Sequence, residues 1–108
     1  MSLINLNNQN FEQEVVNFDG VVLVDFFATW CMPCEALKPI MEGLAESNQY
    51  ANVKIAKLDV DQAMETASQF GIRSIPTVIA FKNGQPVDKA TGLMAEQHYK
   101  EMIQKAQA

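Results

Sequence analysis

The sequence predicts an α/β protein: a central mixed β-sheet of about five strands flanked by four helices, in the order βαβαβαββα. Three observations carry this. Apolar runs of strand length at residues 21–28, 53–60 and 77–82 alternate with segments of helical periodicity. The first of them, VVLVDFFA, is apolar on both parities, as in a strand buried on both faces. An Asn83-Gly84 pair stands between residues 77–82 and 86–91, a strong hairpin signal. Strand–helix–strand crossovers followed by a hairpin give a mixed sheet with helices on both faces.

The elements follow in order. Residues 4–6 fit a short strand, and a helix is expected from Asn10 to about Asn17 with Asn10 as its N-cap. After the strand at 21–28, a helix runs to about Asn48. Its residues Leu37, Ile40, Met41, Leu44 and Ala45 recur at helical spacing, and Pro39 inside it predicts a kink. Residues 53–60 read as a second buried strand. Residues 64–70 read as a short helix stopped by Gly71. The chain closes in an amphipathic helix over about 95–107, with Tyr99, Met102, Ile103 and Ala106 facing inward.

At 108 residues the chain suits a single domain spanning 1–108, with no internal repeat or linker. Nearly half of it is hydrophobic, enough for a core without disulfide staples. Thirteen acidic and 8 basic residues give a formal charge of −5, which argues against nucleic acid and anionic membranes as partners. No Lys or Arg precedes Lys38, so a secretory signal's basic opening is missing, and no apolar run is long enough to cross a bilayer. The expected location is the cytoplasm.

The chain has two cysteines, three positions apart. As a staple they would close a tiny loop and remove little chain entropy. On a helix's first turn, positions i and i+3 lie on one side, within disulfide reach. That turn also offers free N–H groups and the positive end of the dipole, which stabilise a thiolate. Cys31, at the opening, is expected to be the exposed nucleophile, and Cys34, one turn in and more buried, the resolving thiol. Pro33 suits a turn where a missing N–H costs nothing. The pair fits thiol–disulfide exchange. A zinc site would want four ligands, and beyond the pair only His98 offers a nitrogen. His98 reads as a surface residue, and Met41 and Met102 as core.

Here the chain resembles the thioredoxin family. The stretches that carry the resemblance are Val24-Asp25-Phe26-Phe27-Ala28-Thr29-Trp30-Cys31-Met32-Pro33-Cys34 and Lys57-Leu58-Asp59-Val60-Asp61, then Phe70-Gly71-Ile72-Arg73-Ser74-Ile75-Pro76-Thr77, Phe81-Lys82-Asn83-Gly84 and Gly92. They span essentially the whole chain. The resemblance implies the thioredoxin fold and a protein-disulfide reductase with no bound cofactor or metal. Its electrons would come from NADPH through a flavoprotein thioredoxin reductase. Implied clients are ribonucleotide reductase, peroxiredoxin and methionine sulfoxide reductase, served by a monomer.

Asp25 lies inside an apolar run, where an unpaired carboxylate is costly. Strand alternation groups it with Leu23 and Phe27, and groups Lys57 with Val53 and Ile55, so the two could meet across neighbouring strands. One reading is a buried ion pair. The resemblance implies another, in which Asp25 relays protons to and from Cys34. Ile75-Pro76 reads by itself as an ordinary loop proline. The resemblance implies a cis bond at Pro76, with Ile75 backbone groups binding an extended client segment. Trp30, Met32, Ile75, Val60, Gly92 and Leu93 would then form an apolar docking surface. For Val60 and Leu93, core packing is the competing reading.

The chain departs from the family's commonest pattern at Met32, where Gly is usual, and at Glu35, where a basic residue is usual. Ser74 stands for a Gly and Phe27 for a Trp. Met32 and Glu35 adjoin the reacting sulfurs and bear on potential and partner preference. Oxidants and isomerases of the superfamily usually carry His where Pro33 stands, which favours a reductase. Two other readings compete: a binding module whose groove works regardless of redox state, and an exported reductase or oxidase served by a membrane partner.

Overall fold

Strand β2 (Val21–Phe27) is the spine of the protein, because both of its faces are apolar and both are covered. The computed structural model describes residues 3–108, and their five strands form one sheet in the order β1-β3-β2-β4-β5. Here β1 is Ile4–Leu6, β3 is Val53–Asp59, β4 is Thr77–Lys82 and β5 is Gln85–Thr91. β1 and β2 each pair parallel with β3, while β4 runs antiparallel to both β2 and β5. In this register Asp25 lies opposite Lys57 on one side and Val78 on the other.

Period-two alternation divides the core into two layers. Leu23, Ile55 and Val78 face helices α1 (Met32–Glu46) and α3 (Glu96–Gln107), which contribute Leu37, Met41, Leu44, Tyr99, Met102 and Ile103. Val24, Phe26, Leu58 and Phe81 face the other way, towards Phe11, Val15 and the short helix α2 (Met64–Gln69). The rings of Phe11, Phe70 and Phe81 meet there at 5.2–5.8 Å. Asp25 has the parity of Leu23, so it lies on the α1/α3 side.

The first helical segment corrects the sequence reading. Asn10 is not its N-cap. Asn7 Oδ1 accepts from the N–H groups of Gln9 and Asn10. Asn10 Oδ1 accepts in return from the Asn7 N–H at 2.7 Å. The two side chains make a reciprocal box that starts three residues upstream of the expected cap. The coil then widens into a π-helical turn at Glu12–Val16, closed by a bond from Asn17 N–H to Glu12 C=O at 2.8 Å. That i→i+5 spacing is what defines a π-turn. Asn8, inside the box, reaches across the fold. Its Oδ1 accepts from both the Thr66 N–H and the Thr66 hydroxyl, capping α2, whose own N-cap residue is Ala63.

α1 stays helical through Pro39 and ends at Glu46, two residues short of expectation, because the Asn48 side chain is engaged with Val53 C=O and Tyr50 N–H. α2 ends at Gln69, one residue short of expectation, and Gly71 closes it as predicted. The Ile72 N–H bonds to Ala67 C=O and the Gly71 N–H to Ser68 C=O. Gly71 between them is left-handed, with φ +64°, the usual way for a glycine to close a helix. The β4–β5 turn has φ +50° at Asn83 and +83° at Gly84. A type I′ hairpin needs those two positive values. Any Cβ on Gly84 would also run into the Val16 carbonyl, so the hairpin tip packs backbone to backbone on the π-helical turn.

Candidate functional site

The end of β2 and the start of α1 meet in one turn that carries both sulfurs. Cys31 is the N-cap of α1, in extended conformation, and its Sγ accepts the Cys34 N–H at 3.3 Å. Pro33 sits in the first turn, where no intrahelical acceptor waits for an N–H. Cys31 and Cys34 form a disulfide with Cα atoms 5.2 Å apart.

The expected contrast in exposure is not present in this oxidised form. Cys31 is 5% exposed and Cys34 4%, because the bonded sulfurs shield each other and pack with Ala28 against Phe27, Val60 and Ile75. The asymmetry lies in what each cysteine faces. Cys31 Sγ stands 3.8 Å from the Ile75 carbonyl oxygen, on the outer side. Cys34 lines an inner cavity of about 300 Å³ together with Asp25, Lys57, Glu35 and Lys38.

Asp25 is 4% exposed, and its Oδ1 has no hydrogen-bond partner among the described residues. Burial pushes its carboxyl up to about 7, against a smaller opposing pull from the Lys57 charge. The two side chains share the cavity without closing an ion pair. The ion pairs among the described residues are Lys54–Glu14 and Lys100–Glu96, and Lys57 Nζ stands 5.6 Å from the Phe27 ring centre. A half-titrated carboxyl beside a sulfur can hold or release a proton near neutral pH.

Around the outer side, the Ile75–Pro76 bond is cis, and the Pro76 carbonyl accepts the Gly92 N–H at 2.8 Å. That bond brings the turn at residues 92–94 to the cysteine-facing loop. Val60 and Ile75 are half-buried against the disulfide, whereas Trp30 (69%), Met32 (83%) and Leu93 (46%) stand out to solvent. Val60 also packs on the α2-side core, so docking and packing are not exclusive there. His98 is on the exposed face of α3.

Two residues of this region escaped sequence reasoning. Asp61 accepts the Trp30 indole N–H at 2.7 Å. The signal was available: β2 and β3 run parallel with Phe27 opposite Asp59, so the segments following them lie side by side. Tyr99, read only as core, accepts a backbone N–H from Met94. No spacing rule announces a phenol's partner.

A redox-active dithiol at a helix N-terminus, backed by a buried carboxyl and faced by a cis X–Pro bond, defines a thiol–disulfide oxidoreductase. Comparisons with known proteins place it more narrowly. A family model described as Thioredoxin matches residues 2–105, and the chain belongs to the thioredoxin family. It is 42% identical over 105 residues to a thioredoxin of Staphylococcus saprophyticus, covering 97% of this chain and 98% of that one. A thioredoxin of Staphylococcus aureus is 41% identical over the same coverage. Among solved structures, a mutant thioredoxin from Halobacterium salinarum NRC-1 and the Malassezia sympodialis thioredoxin both superpose with a TM-score of 0.87. Each is 34% identical, and each match covers 99% of this chain and 92% of the other. The protein is therefore a protein-disulfide oxidoreductase of the thioredoxin fold. Among the described residues no helix is long and apolar enough to cross a membrane.

Proposed function

We propose that this chain, a single thioredoxin domain over 1–108, reduces disulfides of client proteins with Cys31 as nucleophile and Cys34 as resolving thiol. The observation that carries the assignment is that Cys34 opens onto the Asp25 cavity while Cys31 faces the Ile75 carbonyl. In the reduced protein the Cys31 thiolate attacks one client sulfur. The client's S–S bond breaks, its other sulfur leaves as a thiolate that takes a proton, and Cys31 is held in a mixed disulfide. Cys34 then gives its proton to ionised Asp25 and attacks the Cys31 sulfur. The internal disulfide forms, and the second client sulfur leaves and is protonated. Two electrons have passed to the client.

Lys57 holds the Asp25 charge within reach, and Pro33 sets the turn between the sulfurs. Trp30, Met32, Val60, Ile75, Gly92 and Leu93 form the docking surface, with backbone groups beside Pro76 pairing an extended client segment. Regeneration uses NADPH electrons delivered by a flavoprotein thioredoxin reductase. The clients in view are ribonucleotide reductase, peroxiredoxin and methionine sulfoxide reductase, and the protein works as a cytoplasmic monomer. Cys34→Ser should trap clients as mixed disulfides and Cys31→Ser should trap none; equal capture by both variants would overturn the order of attack. Turnover with NADPH and thioredoxin reductase tests the electron source.

A further inference from the structure

α3 needs a large apolar side chain at position 99 to fill the layer it shares with Leu37 and Val78, and a leucine or phenylalanine would serve. The chain has a tyrosine there, with 0% of its surface exposed. A phenol buried that deeply must have a partner for its oxygen. The partner is the Met94 N–H, which donates to the Tyr99 hydroxyl at 2.9 Å. Met94 ends the turn at residues 92–94. The other end of this turn is tied by the Gly92 N–H to the Pro76 carbonyl at 2.8 Å. Leu93, 46% exposed, is thus displayed between two hydrogen bonds.

We infer that Tyr99 is a positioning residue for client recognition, its buried hydroxyl holding the turn at residues 92–94 so that Leu93 stays set beside Pro76 and the Cys31 side of the disulfide. The inference rests on the docking surface proposed above. With this strut the turn has two hydrogen-bonded anchors on different elements. The Met94 side chain packs on the same core layer as Tyr99, so the hydroxyl fixes the backbone of a segment whose far side is exposed. Burial, with a smaller contribution from the Asp25 charge, holds the phenol above its ordinary range, while the Met94 N–H works in the opposite direction. The hydroxyl is neutral throughout the range in which the sulfurs react, so the strut does not switch off as the cavity titrates.

Tyr99→Phe removes one oxygen and keeps the ring. With insulin as the protein disulfide, KM should rise about fivefold while kcat stays within about twofold, the fold-change that about 1 kcal/mol produces. With bis(2-hydroxyethyl) disulfide, too small to span from Cys31 to Leu93, the rate should stay within about twofold. An equal loss on both substrates, or no change on either, overturns the inference. In the unsubstituted protein the Met94 amide should exchange as slowly as the β5 amides that bond to β4, and exchange at an open-loop rate also overturns it. Leu93→Asp separates the two readings. If it leaves the insulin KM unchanged, the docking surface is wrong; if it raises KM and Tyr99→Phe does not, the surface stands and the strut fails.

Discussion

The Trp30 indole N–H donates to Asp61 Oδ2 at 2.7 Å, across the gap between the segments that follow β2 and β3. A ring that is 69% exposed is thereby given one orientation beside Cys31. Hydrogen bonds to charged acceptors are the stronger kind, although exposure weakens this one.

The first prediction concerns that bond. Asp61→Ala should leave global stability within about 1 kcal/mol and lower kcat/KM for a protein disulfide several-fold. Trp30 is the only tryptophan, so its emission should report the redox state of the pair. The emission difference between oxidised and reduced protein should shrink in the variant. An undiminished difference would mean that Asp61 does not set the indole's pose.

The second concerns Asp25. Its folded value is raised from 3.8 to about 7. Between those values the native state binds more protons than the unfolded chain, so stability should fall as pH rises from about 4 to 7 and level off above. The full loss is on the order of 4 kcal/mol at most. Asp25→Asn should flatten this slope, be the more stable protein at pH 8, and slow disulfide exchange about tenfold or more. Denaturant titrations at pH 4, 6 and 8 that ran parallel for the two proteins would contradict the burial argument.

A third follows from Glu35, an acid in the first turn of α1 whose N–H bonds to the Cys31 carbonyl at 3.2 Å. It complements the helix dipole but opposes a negative charge on Cys31. Glu35→Lys should ionise more of reduced Cys31 at neutral pH. That stabilises the dithiol state and makes the pair more oxidising by a few-fold in its equilibrium with glutathione. The effect should fade at high salt. An unchanged equilibrium at low salt would remove electrostatics from the account. Met32→Gly, a change at an 83% exposed side chain, should chiefly alter client and reductase rates.

Gly84 supplies the fourth. An alanine there meets a φ of +83° and the Val16 carbonyl at once. Gly84→Ala should cost about 2–4 kcal/mol, read as a lower denaturant midpoint, with client kinetics unchanged because the hairpin tip is remote from the sulfurs.

Local pattern made much of this protein legible. Continuous apolar runs marked β2 and β3, and Asn83-Gly84 marked the hairpin. Alternation allowed Asp25 and Lys57 to meet across neighbouring strands, and the register has them opposite each other. Contacts set by tertiary geometry were not legible. Asn7 outcompetes Asn10 as the cap because their side chains can answer one another, and either residue fits the rule by type. The near-equal burial of the two cysteines comes from the bond between them and from Val60 and Ile75, which lie far along the chain. Tyr99 matched its helical stripe, and its hydroxyl was invisible to periodicity.

The reach of Asn8 to Thr66 has an effect beyond capping. α2 spans only Met64–Gln69, well below the length at which a helix persists in water unaided. Its cap comes from a side chain 58 positions earlier, next to the edge strand β1. From α2 the chain passes through Gly71 directly into the segment that ends at Ile75 and Pro76. The segment from β1 to Asn8 is therefore tied through α2 to the loop that carries Ile75 and Pro76. A protease that trimmed the chain back past Asn8 would be felt at the mouth of the active site by way of α2.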